Sequence, residues 1–184
     1  MKLSAAADGV ELRAVTVGLG WDPRSGFGDV FDLDASAVIT GADGKALSDE
    51  NYVFYNALVS PTGAVRHLGD NRDGAGGGDA ESLVVDLSLL PFSAQSVVFI
   101  VSIDDAAARG QSFGLVDNAF IRVVNAADSR ELARFDLTLG AASDTAMVFG
   151  ELCFDEGDWK FRAMGKGYSD GLVSVLVEYG ITTD

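Results

Sequence analysis

One cysteine, one histidine and three prolines in 184 residues leave little to build on by covalent or soft-metal means. Cys153 alone closes no internal disulfide, and with His67 as the only imidazole no zinc site of clustered His and Cys can form. Basic residues are also scarce: 13 Lys and Arg stand against 28 Asp and Glu, a formal net charge of −15. Such a chain is repelled by phosphate backbones and anionic lipid heads unless a cation intervenes, so nucleic acid is excluded as the expected partner. No apolar run approaches the ~18 residues of a membrane span, and residues 1–12 lack the hydrophobic stretch of an export signal. The chain is expected to be cytoplasmic and soluble, a compartment that one unpaired cysteine also suits.

What is present is globular. Hydrophobic residues make up 48% and charged residues 22%, the balance of a folded domain rather than a fibre, coiled coil or disordered tail. The length is that of one domain, spanning 1–184. Apolar segments are short, rich in Val, Ile and Phe, and separated by Gly, Asp and Asn clusters, so period-2 patterning dominates. It predicts strands at 10–19, 31–40, 52–59, 64–68, 83–87, 97–103, 119–124, 132–138, 146–154 and 159–164. Helical signals are confined to a turn or two at 104–110 and to the C-terminus. There Leu172, Val175, Leu176 and Tyr179 repeat at i, i+3, i+4 and i+7 after a cap at Ser169 or Asp170, and Gly180 is the stop. Without βαβ alternation, the expected fold is mainly β: a β-sandwich of two mostly antiparallel sheets with short helices and a C-terminal helix.

Glycine is abundant, 22 residues, well above the usual ~7%, and densest in an acidic loop. Residues 69–81 hold Asp70, Asn71, Asp73, Asp79 and Glu81 among five glycines. Carboxylates, an amide and carbonyls turned inward by glycine are the donors that Ca2+ takes in a shell of about six to eight oxygens. The loop is not an EF-hand, because Arg72 and Gly74 fall at ligand positions and Ala75 replaces the required glycine. One glycine-rich copy cannot make a Ca2+-binding β-helix either. A second acidic group comprises Asp22, Asp29, Asp32 and Asp34; Asp32 and Asp34, two apart in a strand, share a face. Each acidic group has an ordinary alternative, a solvated loop or edge, and the two could sit at opposite ends of a sandwich.

Other motifs carry less. No G-x-S-x-G elbow surrounds a serine, so a Ser-His-Asp triad with Ser25 and His67 has no support. Gly165-Lys166-Gly167 lacks the Ser or Thr of a P-loop, and reads as the turn between the last strand and the final helix. Trp21, Trp159 and Cys153 read as core.

Taken in order, a series of motifs resembles the TerD family of tellurium-resistance and general stress proteins. It comprises Val17-Gly18-Leu19-Gly20-Trp21-Asp22, Asp32-Leu33-Asp34-Ala35-Ser36, Gly69-Asp70-Asn71-Arg72 with its acidic tail and Arg109-Gly110-Gln111-Ser112-Phe113. It continues through Asn118-Ala119-Phe120-Ile121-Arg122-Val123 and Gly150-Glu151-Leu152 to the run from Trp159 through Tyr168. The resemblance implies a calcium-binding stress-response domain without enzymatic activity, a β-sandwich that holds two Ca2+ through its acidic loops. The implied metal ligands are Asp22, Asp32, Asp34, Asp70, Asn71, Asp73, Gly76, Gly78, Asp79 and Glu81. Gly77 and Ala80 stand where the family often carries acids, so the second ion is expected to be the weaker. Expected partners are calcium ions, other stress-response proteins and, through Ca2+, the inner face of a membrane to which the domain would be peripheral. The competing reading from another class is a metal-dependent phosphoesterase in which the clustered Asp hold the ion.

Overall fold

The computed structural model describes residues 2–3, 12–22, 31–69, 79–136 and 143–183, with the backbone alone taken at Asp22 and Asp117. Ten strands follow in chain order: β1 (Ala14–Asp22), β2 (Leu33–Thr40), β3 (Tyr52–Val53), β4 (Val65–His67) and β5 (Glu81–Asp86). β6 (Ser96–Ile103), β7 (Asp117–Asn125), β8 (Glu131–Asp136), β9 (Ala146–Asp155) and β10 (Asp158–Tyr168) complete them, with short helices α1 (Ala106–Arg109) and α2 (Leu172–Glu178). They form two five-stranded sheets, ordered β4-β5-β1-β7-β8 and β10-β9-β6-β2-β3, and every strand pair is antiparallel. This is the expected sandwich.

Alternation positions the core. Val15, Val17, Leu19 and Trp21 of β1, Leu83 and Val85 of β5, and Ala119, Ile121 and Val123 of β7 point inward. They meet Leu33, Ala35, Ala37 and Ile39 of β2, Phe99 of β6 and Phe149 of β9. The second sheet is buried on its outer face as well: Val38, Val98, Ile100, Ala146 and Val148 lie under Val175 and Leu176 of α2 and Tyr179 just after it. Covering both faces is why β6 and β9 read as nearly continuous apolar runs. α2 is tied down by Lys166, whose Nζ lies 2.7 Å from both Glu178 carboxylate oxygens, and by Lys45 Nζ, 2.6 Å from the Glu178 carbonyl.

Three local expectations need correction. The strand expected at 52–59 stops at Val53, because Phe54 and Ala57 exchange backbone hydrogen bonds across a tight turn. Gly165-Lys166-Gly167 is a bulge inside β10, with Gly165 at φ 66° and the register slipping between Ala163 and Lys166, rather than the turn leading to α2. Since β10 runs on to Tyr168, the residues just after it are used in turning, and the position before α2 falls to Gly171 with no side-chain cap from Ser169 or Asp170.

The pairings within each sheet, with the Glu81 and His67 contacts to Ala35 between the sheets, fix which ends meet. β1, β4, β6, β8 and β10 finish, and β2, β5, β7 and β9 begin, at one end of the sandwich.

Candidate functional site

That end collects the acids. Asp22 closes β1 in register with Asp117, Asp32 and Asp34 flank the first residue of β2, Asp79 lies two residues before Glu81, which begins β5, and Asp104 and Asp105 follow β6. The two acidic groups therefore emerge at the same end, not at opposite ends. Asp70, Asn71, Asp73, Gly76 and Gly78 lie outside the described residues.

Glu81 is the most deeply placed of the described acids. It begins the inward series Glu81, Leu83, Val85 and reaches across the sandwich to β2. β3 pairs with β2 only at Ala37 and Val38, so the edge at Ala35 is open toward the first sheet. Glu81 Oε2 accepts the Ala35 N–H there, and His67 Nε2 lies 3.1 Å from the Ala35 carbonyl and 3.6 Å from Glu81 Oε2. The Gly69 N–H donates to His67 Nδ1 at 3.1 Å. Nδ1 is thus the lone-pair nitrogen and Nε2 carries the hydrogen, which it donates to Ala35. With side chains 1% and 0% exposed, His67 and Glu81 form a buried clip. It satisfies a strand edge that would otherwise leave polar backbone unpaired in the interior.

Asp79 turns the other way. Its carboxylate crosses the outer face of the first sheet above Gly18 and receives both prongs of Arg122, Nε at 2.7 Å and Nη2 at 3.1 Å. The passage requires a glycine: a Cβ on Gly18 would lie 2.5 Å from Asp79 Oδ1 and closer still to Cγ. Gly18 and Arg122 are register partners on β1 and β7, which is what places the guanidinium under the carboxylate. These hydrogen bonds push the Arg122 pKa up from its ordinary value, and Nη1 also lies 3.6 Å from Glu131. Neither Gly18 nor Arg122 stands out as a site residue in the sequence. The available signal was a lone cation in the outward series Phe120, Arg122, Val124.

Asp34 lies on the outer face of β2, as alternation from the inward Leu33 and Ala35 requires, with Asp32 on the same side one pleat earlier. Asp34 is the register partner of Ser102 on β6. The expected ligands with described side chains therefore diverge. Glu81 faces between the sheets, Asp79 the outside of the first and Asp34 the outside of the second. Among the described residues no three of His, Cys, Asp and Glu are placed to hold one metal ion. Their oxygens are the hard donors that Ca2+ prefers, but a closed shell needs the loop residues that lie outside the described set.

Cys153, expected in the core, is buried with Sγ 3.6 Å from the Lys160 carbonyl, and burial pushes its thiol pKa up. It has the marks of a packed side chain rather than a reactive one.

Residues 1–179 match the TerD domain family. The sequence is 51% identical to the tellurium resistance protein TerD of Serratia marcescens over 98% of this chain and 93% of that protein. It is 44% identical to general stress protein 16U of Bacillus subtilis over 92% and 89%. The fold is similar to the crystal structure of a homologue of telluride resistance protein (TerD) from Streptomyces coelicolor. There the TM-score is 0.75 at 26% identity, covering 94% of this chain and all of the other.

Proposed function

This chain belongs to the TerD family, and on that premise we propose that it is a non-enzymatic, calcium-binding domain of the cytoplasmic stress response, working as a Ca2+-dependent interaction module. The observation that carries the reading is the gathering of both acidic segments at one end of the sandwich. The ligands would be drawn from Asp22, Asp32, Asp34, Asp70, Asn71, Asp73, Gly76, Gly78, Asp79 and Glu81. Asp79 and Glu81 would take part only as far as their bonds to Arg122 and to Ala35 permit. Bound calcium would supply positive charge: two ions take the formal charge from −15 to −11 and relieve the repulsion between the acidic segments. The acidic end would then be a stiffer, less negative surface for a protein partner or an anionic membrane face.

The phosphoesterase alternative gains nothing from the site, since His67, the only imidazole, is buried with both ring nitrogens engaged. No described helix is long and apolar enough to cross a membrane. A single buried thiol, Cys153, supports a part in tellurite resistance other than multi-thiol reduction of the oxyanion.

Thermal melting tests the reading. Calcium at about 100 times its Kd adds roughly 2.7 kcal/mol to native stability, so the midpoint should rise with Ca2+ and fall with chelator. Identical melting curves under both would refute it.

A further inference from the structure

A groove of about 570 Å³ runs beside α2 on the outer face of the second sheet. One wall is aromatic: Tyr52 and Phe54 stack with centroids 4.7 Å apart, and Tyr55 meets Phe54 edge-on at 5.5 Å. The other wall is Leu172 and Leu176, four residues apart and so on one side of the helix. Ser36 lies in the floor, buried against the Tyr52 hydroxyl, so a partner meets the walls and rim. The rim is apolar too. Glu178 turns toward β10, where Lys166 and the Tyr168 hydroxyl hold it. At about 100° per residue, Val173 and Val177 therefore stand on the opposite side of the helix, next to the Leu172 and Leu176 wall, and they are 57% and 60% exposed. Tyr55, on the facing wall, is 44% exposed. The ends of the groove are acidic. Asp105 lies beside Gly171 and Leu172, where α2 starts, and Asp49 accepts the Thr182 N–H at 3.1 Å just beyond its finish. Both acids are exposed, and no Lys, Arg or His is among the described lining residues.

We propose that this groove docks a short basic amphipathic helix of a partner protein. Apolar residues at i and i+4 of that helix would seat between the aromatic wall and α2, the usual way an amphipathic helix enters an apolar groove. Lys or Arg at its two ends would meet Asp105 and Asp49. The length fits, because Leu172 to Glu178 spans about 10 Å, two turns of helix. Charge selects among occupants. A second copy of this chain would bring another formal charge of −15, and an anionic membrane would be repelled in the same way. An uncharged apolar segment would leave both acidic ends without a counter-charge, whereas a cation also gains from the aromatic wall. Asp104 is already paired with Arg109 at 3.2 Å and is not called on. The reading stands apart from calcium binding, since neither Asp49 nor Asp105 is among the proposed ion ligands.

The test titrates the full chain, stripped of metal and kept in chelator at about 0.15 M salt, with a synthetic peptide and follows it by 1H–15N NMR. The peptide is a capped Leu/Ala/Lys helix of about four turns with Leu at i and i+4, and its control is the same composition in an order that is not amphipathic. Saturable binding near or below about 100 µM is expected, with shifts centred on Tyr55, Leu172, Leu176 and Ile181, and at least about tenfold weaker binding of the control. Matched variants separate docking from general attraction to an acidic protein. Asp49→Asn with Asp105→Asn should weaken the peptide several-fold. Asp128→Asn with Asp136→Asn, the same charge change on the far sheet, should leave it nearly unchanged. Val177→Ser, at an exposed site, should weaken it while keeping the melting temperature. Equal binding of the two peptides, equal effects of the two Asn pairs, or shifts centred outside the groove would overturn the proposal. So would concentration-dependent dimerisation, or binding of phosphatidylserine vesicles in chelator, that shifts the groove residues, since the occupant would then be a second copy or a lipid surface. Because calcium is absent throughout, failure of the calcium reading would not alter these outcomes.

Discussion

Gly18→Ala gives the sharpest view of how the acidic end is built. Gly18 has an ordinary strand conformation, so alanine at this site costs no backbone strain and should add about 0.4–1 kcal/mol by narrowing the unfolded ensemble. Against this, the new Cβ would occupy the place of the Asp79 carboxylate, and Asp79 would have to leave both prongs of Arg122. The pair is half-sheltered, with side chains 16% and 33% exposed. Its loss should cost about 1.5–2 kcal/mol, between the values for exposed pairs and for buried charged hydrogen bonds. The net expectation is a loss of about 1 kcal/mol, a fall of roughly 2–4 °C for a domain of this size. The cycle with Asp79→Ala isolates the cause. Once the carboxylate is gone, Gly18→Ala should be neutral or slightly stabilising, a coupling of about 1.5 kcal/mol. Urea unfolding of the wild type, both single variants and the double variant, all in chelator, measures it. An equal loss from Gly18→Ala with and without Asp79 would refute the argument that this glycine exists to admit the carboxylate.

The buried clip and the helix anchor give two more predictions. Glu81→Leu should cost about 2–3 kcal/mol by leaving the Ala35 N–H unpaired in the interior, whereas Glu81→Gln, whose amide oxygen can still accept it, should cost less than about 1.5; urea unfolding with equal losses from the two would contradict the assigned bond. The hydrogen bonds from Lys166 hold the Glu178 carboxyl below its ordinary value of 4.5. A depressed folded-state pKa contributes stability that is present above the unfolded value and lost as pH falls through the folded one. Glu178→Gln should therefore lower stability near neutrality by less than about 1 kcal/mol, since the pair is largely exposed. It should also flatten the pH dependence of melting just below pH 4.5, and an unchanged slope there would deny the pair its role.

The strands were legible where one face is buried and turn residues punctuate the chain, as in β1 and in the hairpin of β7 and β8. They were less so in β3, where Tyr52 and Phe54 prolong the apolar pattern although the backbone turns after Val53. A bulge such as that at Gly165 is written in the same letters as a turn, and only pairing with β9 tells them apart. The acidic composition of the site was plain, but the direction of each carboxylate was not. The Asp79 partner lies 43 residues away on β7, a relation set by strand order. Glu81 did leave a trace. It occupies the same alternation as Leu83 and Val85, which marks an acid on the core face and calls for a buried partner. His67, which the sequence places only within the strand expected at 64–68, proved to belong to that partner group.

The central claim, that the acidic end holds calcium, is tested most directly by calorimetric titration of Ca2+ into the metal-stripped full chain, with Mg2+ as competitor. The account predicts saturable binding of up to two ions that millimolar Mg2+ displaces little, because a flexible oxygen cage favours Ca2+ over the smaller, strictly octahedral ion. Absence of any saturable heat, or equal affinity for the two ions, would contradict it.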